Sequence, residues 1–182
     1  MLEHHRLSTQ LELKALEADG RFAGYASVFD VVDSQRDMVL RGAFANTLQE
    51  RAGHIKLLWQ HQWEEPIGII TKLFEDARGL YMEGVLLMDV ARAREAYALM
   101  KAGVVRGLSI GYTPGRWVRD PDAGVRKLQS VDLWEISLVT TPANAAAQVT
   151  VVKSDDEQLR RSGAYMRLAD TLDYALRVIN AS

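Results

Sequence analysis

Ser109 stands at the centre of Gly107-Leu108-Ser109-Ile110-Gly111, where two glycines without side chains leave its hydroxyl open to a substrate carbonyl. A serine hydroxyl attacks a carbonyl only when a base takes its proton and a third group orients that base, so the motif calls for a histidine and an acid. Glu135 is the candidate acid. In Val131-Asp132-Leu133-Trp134-Glu135-Ile136-Ser137-Leu138-Val139, strand alternation puts Glu135 on one face with Val131, Leu133, Ser137 and Val139, and Trp134, Ile136 and Leu138 on the other. Both faces read as buried. A carboxylate in such a strand is costly without a partner, which here is an imidazole or an arginine such as Arg106 or Arg126. His61 is the candidate base: in a strand read over His54 to His61 it shares a face with Ile55, Leu57 and Trp59, while His54 points to the more polar side.

Each residue also has a plain structural reading. The pentapeptide is short enough to arise by chance, a lone His61 is an ordinary core histidine, and Trp59, Trp63, Tyr81 and Trp134 read as core or groove aromatics. Chain order narrows the chemistry. All histidines, at positions 4, 5, 54 and 61, precede the serine, whereas the nucleophile elbow of α/β-hydrolases runs serine, acid, histidine and turns from strand into helix. Thr113-Pro114-Gly115 cannot open a helix in the ordinary way, which counts against a small-ester hydrolase of that kind. No H-E-x-x-H or histidine–carboxylate cluster occurs, so neither metal nor other cofactor is expected. The absence of cysteine excludes thiolate nucleophiles and cysteine zinc sites.

Composition excludes further classes. With 22 basic and 24 acidic residues spread along 182, the chain lacks the basic field of a nucleic-acid binder. No apolar run approaches the ~20 residues of a membrane span, and the first residues lack the apolar core of a signal peptide, so the expectation is a soluble cytoplasmic protein.

The elements that must carry these residues are mostly strands. Residues 10–15 and 21–29 read as a hairpin, Met38-Val39-Leu40 as a short extended piece, and Phe44, Ala45 and Leu48 as a helix fading near Gly53. Residues 67–74 and 80–88 form a second hairpin. A helix over Ala91–Ala102, capped by Asp89 and stopped at Gly103, leads into the serine strand. Pro114-Gly115 and Pro121-Asp122-Ala123-Gly124 punctuate a loop or exposed hairpin, followed by strands over 130–139 and 148–152. Beyond Lys153, Tyr165, Leu168, Ala169, Leu172, Ala175, Leu176 and Ile179 make one stripe of an amphipathic helix. The expected organisation is a catalytic domain over 1–152 and a helical tail over 153–182.

Several words taken in order resemble the prohead serine proteases of tailed phages, the maturation proteases of capsid assembly, related in fold to the herpesvirus capsid protease. They are Gly42-Ala43-Phe44, Leu57-Leu58-Trp59-Gln60-His61, Pro66-Ile67-Gly68, Glu75-Asp76-Ala77-Arg78-Gly79-Leu80, Gly107 to Tyr112, Leu133 to Val139 and Thr141-Pro142-Ala143-Asn144, together covering roughly residues 20 to 152. The resemblance implies a herpesvirus-protease-like distorted barrel of about six or seven strands with surface helices, to which the C-terminal amphipathic helix is added. It implies Ser109 as nucleophile, His61 as general base and Glu135 as the orienting third member, a place held by a second histidine in the herpesvirus relatives. The loop Thr141–Asn144 would lie beside the site and offer backbone N–H groups to an oxyanion. The implied partners are the major capsid protein and its scaffold segment, with a possible homodimer and neither nucleic acid nor membrane. The setting would be the assembling prohead in the bacterial host cytoplasm. The alternative is a non-catalytic capsid assembly factor built on an inactivated protease fold.

Overall fold

The computed structural model describes residues 20–152. The expected strand over 10–15 and the C-terminal helix lie outside them.

Ten strands and two α-helices make up the described body. The order is β1 (Arg21–Val28), β2 (Asp37–Val39), α1 (Ala45–Arg51), β3 (Lys56–Trp59), β4 (Gln62–Glu75), β5 (Gly79–Leu86), α2 (Ala91–Lys101), β6 (Gly107–Pro114), β7 (Trp117–Asp120), β8 (Val125–Leu128), β9 (Val131–Val139) and β10 (Val149–Val152). Seven strands form one sheet in the order β10-β1-β5-β4-β3-β9-β6, and β2-β8-β7 form a smaller one. The large sheet curls until its two ends meet. Val149 N–H donates to Arg106 O at 2.8 Å and Leu108 N–H to Ala147 O at 3.0 Å, while Tyr25 N–H donates to Gln148 O at 3.1 Å, so residues 147–149 join β6 to β1. The mostly β, distorted-barrel expectation is met. Inside the curl, Phe22, Phe44, Leu57, Leu58, Ile67, Leu80, Met82, Leu86, Leu108, Leu133, Ile136 and Leu138 are buried and supply the hydrophobic driving force.

The two helices are surface elements, as the sequence predicts. Helix α1 is too short to persist alone and is pinned by Thr47, whose hydroxyl donates to Val131 O (2.9 Å) and accepts from Leu133 N–H (3.2 Å) at the start of β9. Helix α2 buries Ala93, Ala96, Tyr97 and Met100. Its N-cap is Val90 rather than Asp89, with no side-chain cap; instead Arg94 reaches back to the carbonyls of Met88 and Asp89 at 2.8 and 3.1 Å. The punctuated stretch after Tyr112 is indeed a hairpin, β7–β8, and β8 also pairs in parallel with β2 so that Asp37 lies opposite Arg126.

Three further readings of the sequence need correction. The strand expected over 54–61 is only Lys56–Trp59: His54 ends a 3₁₀ turn and is exposed, and His61 lies beyond the strand. Alternation along that segment therefore assigned faces to two histidines that stand on no strand. Strand β9 is buried on both faces from Glu135 to Val139 but not at Trp134, because the register against β6 slips between Gly111 and Tyr112 and leaves Trp134 without an opposite residue, 38% exposed. Trp63, at 58% exposure, is likewise no core residue.

Candidate active site

Strand β9 lies at the centre of the site, with β3 parallel on one side and β6 antiparallel on the other. Directly opposite residues in an antiparallel pair project on the same side of the sheet. Ser109 faces Ser137 and Gly111 faces Glu135, so one side of the β6–β9 pair carries the serine, the second hydroxyl and the carboxylate. The glycines of the motif serve this packing. A Cβ on Gly111 would collide with Glu135 Oε1 and come within 2.9 Å of its Cδ, and one on Gly107 would sit 2.7 Å from Val139 O and 2.8 Å from Pro142 Cδ. The space beside Ser109 is thus kept for the acid and for the turn after β9, a different use from access for substrate.

His61 arrives by a route that alternation could not reveal. Trp59 pairs with Gln62, and the two residues between them, Gln60 and His61, have φ of 51° and 61°. That is a two-residue hairpin turn with both central residues left-handed, normally the place of Asn-Gly. Side chains there are strained, and the turn is held by β9: Gln60 N–H donates to Leu138 O and His61 N–H to Ser137 Oγ, each at 3.0 Å. The turn carries the imidazole over the carboxylate. His61 Nδ1 lies 2.6 Å from Glu135 Oε1, and Ser137 Oγ donates to Glu135 Oε2 at 2.6 Å.

Burial separates the partners. Glu135 is 2% exposed, whereas the His61 side chain is 45% exposed, so the carboxylate is fixed inside while the ring reaches the cavity. The hydrogen bond to Glu135 raises the His61 pKa above its ordinary 6.5, partial burial opposes this, and the nearby negative charge adds to the rise. With Nδ1 committed to the acid, Nε2 is left as the atom that can take a proton. Ser109, 7% exposed, and His61 both line a cavity of about 600 Å³. Thr141, Ala143 and Asn144 form part of its wall. The Asn144 side chain ties this loop to the end of β1, donating to Val28 O at 2.9 Å.

Of the arginine partners weighed for Glu135, Arg126 is engaged elsewhere on the same cavity. Asp37, 2% exposed, accepts from Arg126 Nε and Tyr112 Oη, both at 2.7 Å. Burial pushes the Asp37 carboxyl up, but the hydrogen bonds of Arg126 and Tyr112 outweigh it and hold the group below its ordinary value. Tyr112 is pushed well above its usual range by burial and by Asp37. Asp37, Tyr112 and Ser137 went unmarked as site residues in the sequence; Ser137 alone carried a signal, being two residues from Glu135 and hence on its face.

Comparison with known proteins bears on this arrangement. The family described as caudovirus prohead serine protease matches residues 9–162. The chain is 36% identical over 152 residues to the prohead protease of Enterobacteria phage HK97, covering 81% of this chain and 67% of that protein. The chain belongs to the caudovirus prohead serine protease family. It is accordingly a serine protease, and the resemblance read from its motifs is correct. The capsid polyprotein of Pseudomonas phage PAJU2 is 33% identical over 171 residues, covering 87% of this chain but 24% of that much longer protein. Among solved structures, the bacteriophage T4 capsid assembly protease superposes with a TM-score of 0.51 at 14% identity, covering 65% of this chain and 82% of that one. At that identity the likeness concerns the fold alone.

Proposed function

We propose that this chain is the endopeptidase of prohead maturation, acting on the capsid protein and its scaffold segment through Ser109, His61 and Glu135. The observation that carries the reading is the 2.6 Å contact of His61 Nδ1 with the buried Glu135, made at the rim of the cavity that Ser109 lines. His61 Nε2 takes the Ser109 hydroxyl proton as Oγ bonds to the scissile carbonyl carbon. Glu135 accepts a hydrogen bond from Nδ1–H throughout and stabilises the imidazolium. The imidazolium then gives its proton to the leaving amine as the C–N bond breaks, leaving an acyl-serine. Water, deprotonated by the same imidazole, releases the acid and restores the serine.

Donors for the oxyanion fit the Thr141–Asn144 loop. Among the described residues the backbone N–H groups of Ala143 and Asn144 have no intramolecular acceptor, and both residues line the cavity. The similarity to a protein called a capsid polyprotein supports a capsid-protein substrate. The setting is the assembling prohead in the host cytoplasm, where two copies could pair as a homodimer. A fluorophosphonate probe should label the protein at Ser109, and Ser109→Ala should lose both labelling and scaffold cleavage. Unchanged cleavage by Ser109→Ala overturns the reading.

A further inference from the structure

Ser137 is wholly buried at 0% exposure, yet both faculties of its hydroxyl are spent on the site. Its proton goes to Glu135 Oε2 at 2.6 Å, and its oxygen accepts the His61 backbone N–H at 3.0 Å. We infer that Ser137 is a positioning residue of the protease, a hydroxyl clamp that fixes Glu135 and the left-handed His61 turn in one mutual geometry. The inference rests on the assignment of His61 and Glu135 proposed above.

The physical argument concerns freedom. A carboxylate on a flexible side chain can turn about its last torsion, and only one of its oxygens is needed by the imidazole. Ser137 occupies the other, so Oε1 is the oxygen left to face His61. The backbone of His61 is meanwhile held at φ 61°, an unfavourable conformation for a residue with a side chain, by an acceptor on the strand that bears the acid. One hydroxyl thus registers the turn against the carboxylate. Neither cross-strand neighbour duplicates this role: Leu58, opposite Ser137 on β3, brings no polar side-chain atom, and Ser109, opposite it on β6, opens on the cavity.

The test is Ser137→Ala, an almost isosteric change, assayed on a capsid–scaffold substrate with thermal unfolding as control. The expected result is kcat lower by about ten- to a hundredfold, the scale of one charge-assisted hydrogen bond, with KM within about threefold. The acid limb of the pH profile should move to higher pH, because a carboxylate stripped of one donor holds the imidazolium more tightly. The other titratable groups on the cavity, Asp33, Asp37, Tyr112 and Arg126, are the same in both proteins. In a Glu135→Gln background the further loss from Ser137→Ala should shrink to about twofold, since residues that act as one unit are not additive. Full additivity, or kcat and pH profile unchanged in a folded Ser137→Ala protein, overturns the inference. If Ser137→Ala does not fold, Ser137→Cys, which fills the same space with weaker hydrogen bonds, carries the test with the same two outcomes. Retained cleavage by Ser109→Ala would sink the nucleophile assignment itself; a dead Ser109→Ala beside a fully active Ser137→Ala would remove the clamp alone.

Discussion

Two carboxylates are each 2% exposed, Asp37 in the wall of the cavity and Glu135 behind the His61 that lines it, yet their surroundings suit them to opposite tasks. Asp37 is clasped by a guanidinium and a phenol whose protons stay in place across the working pH range, so its charge is a fixed strut. Glu135 is clasped by an imidazole and a hydroxyl, and the imidazole can gain or lose its proton near neutrality. On the proposed assignment, what distinguishes the chemical carboxylate from the structural one is the acidity of its partner. Burial does not distinguish them.

Substitutions at the two carboxylates put this contrast to the strongest test. Glu135→Gln should keep the fold and lower kcat by about 10³–10⁴, as loss of the orienting acid does in serine triads. Asp37→Asn should do the reverse, reducing stability by about 2 kcal/mol on the scale of a lost charged hydrogen bond while kcat falls less than about tenfold. Denaturant unfolding and peptide-cleavage rates on the same two preparations decide it; equal kinetic losses would dissolve the distinction. Gly111→Ala comes next, since its methyl would push Glu135 from beneath His61, and a loss of kcat of about tenfold or more is expected in a protein that still labels with fluorophosphonate.

The pH dependence sharpens the same comparison more gently. As a base His61 must be neutral, and its raised pKa places the rise of activity above pH 6.5. The sign for stability is opposite: the pair with Glu135 contributes fully below 6.5 and fades as pH rises through the raised value. Asp37, with its lowered pKa, contributes above its ordinary 3.8 and loses that contribution only as pH falls through the lowered value. Rate and thermal stability measured between pH 5 and 9 should therefore diverge, and a parallel rise of both would contradict the assignment to His61. The smallest expected effect is His54→Ala, at an exposed 3₁₀ position, with cleavage within about twofold of the unsubstituted protein.

Much of this was legible in the sequence wherever a local rule and the tertiary structure agree. The alternation around Glu135 set it in a buried strand, and the placing of every histidine before the serine correctly argued against an α/β-hydrolase; the pairing of that strand with the serine strand comes from the fold alone. His61 was chosen over His54 on a strand face that does not exist. Its true place depends on a left-handed turn over Gln60 and His61, which lack the usual Asn-Gly spelling and are held by acceptors on β9. The Asp37–Arg126 pair was illegible for a related reason: it spans 89 residues and follows from the parallel pairing of β2 with β8. Trp134 misled because a bulge breaks alternation at one residue without altering the hydrophobic pattern around it.

Residues 147–149, which join the serine strand to β1, also bear on when the site can exist. The strand that carries Ser109 is completed on one side by β9 and on the other by Ala147 and Val149, while β10 pairs Phe22 with Val152. Contacts so distant along the chain form late and slowly, because loop closure must be met before they contribute. A nascent chain ending before residue 147 would carry its serine, histidine and glutamate without the closed sheet that holds them. The sheet that holds Ser109 therefore closes only once residues 147–149 are in place.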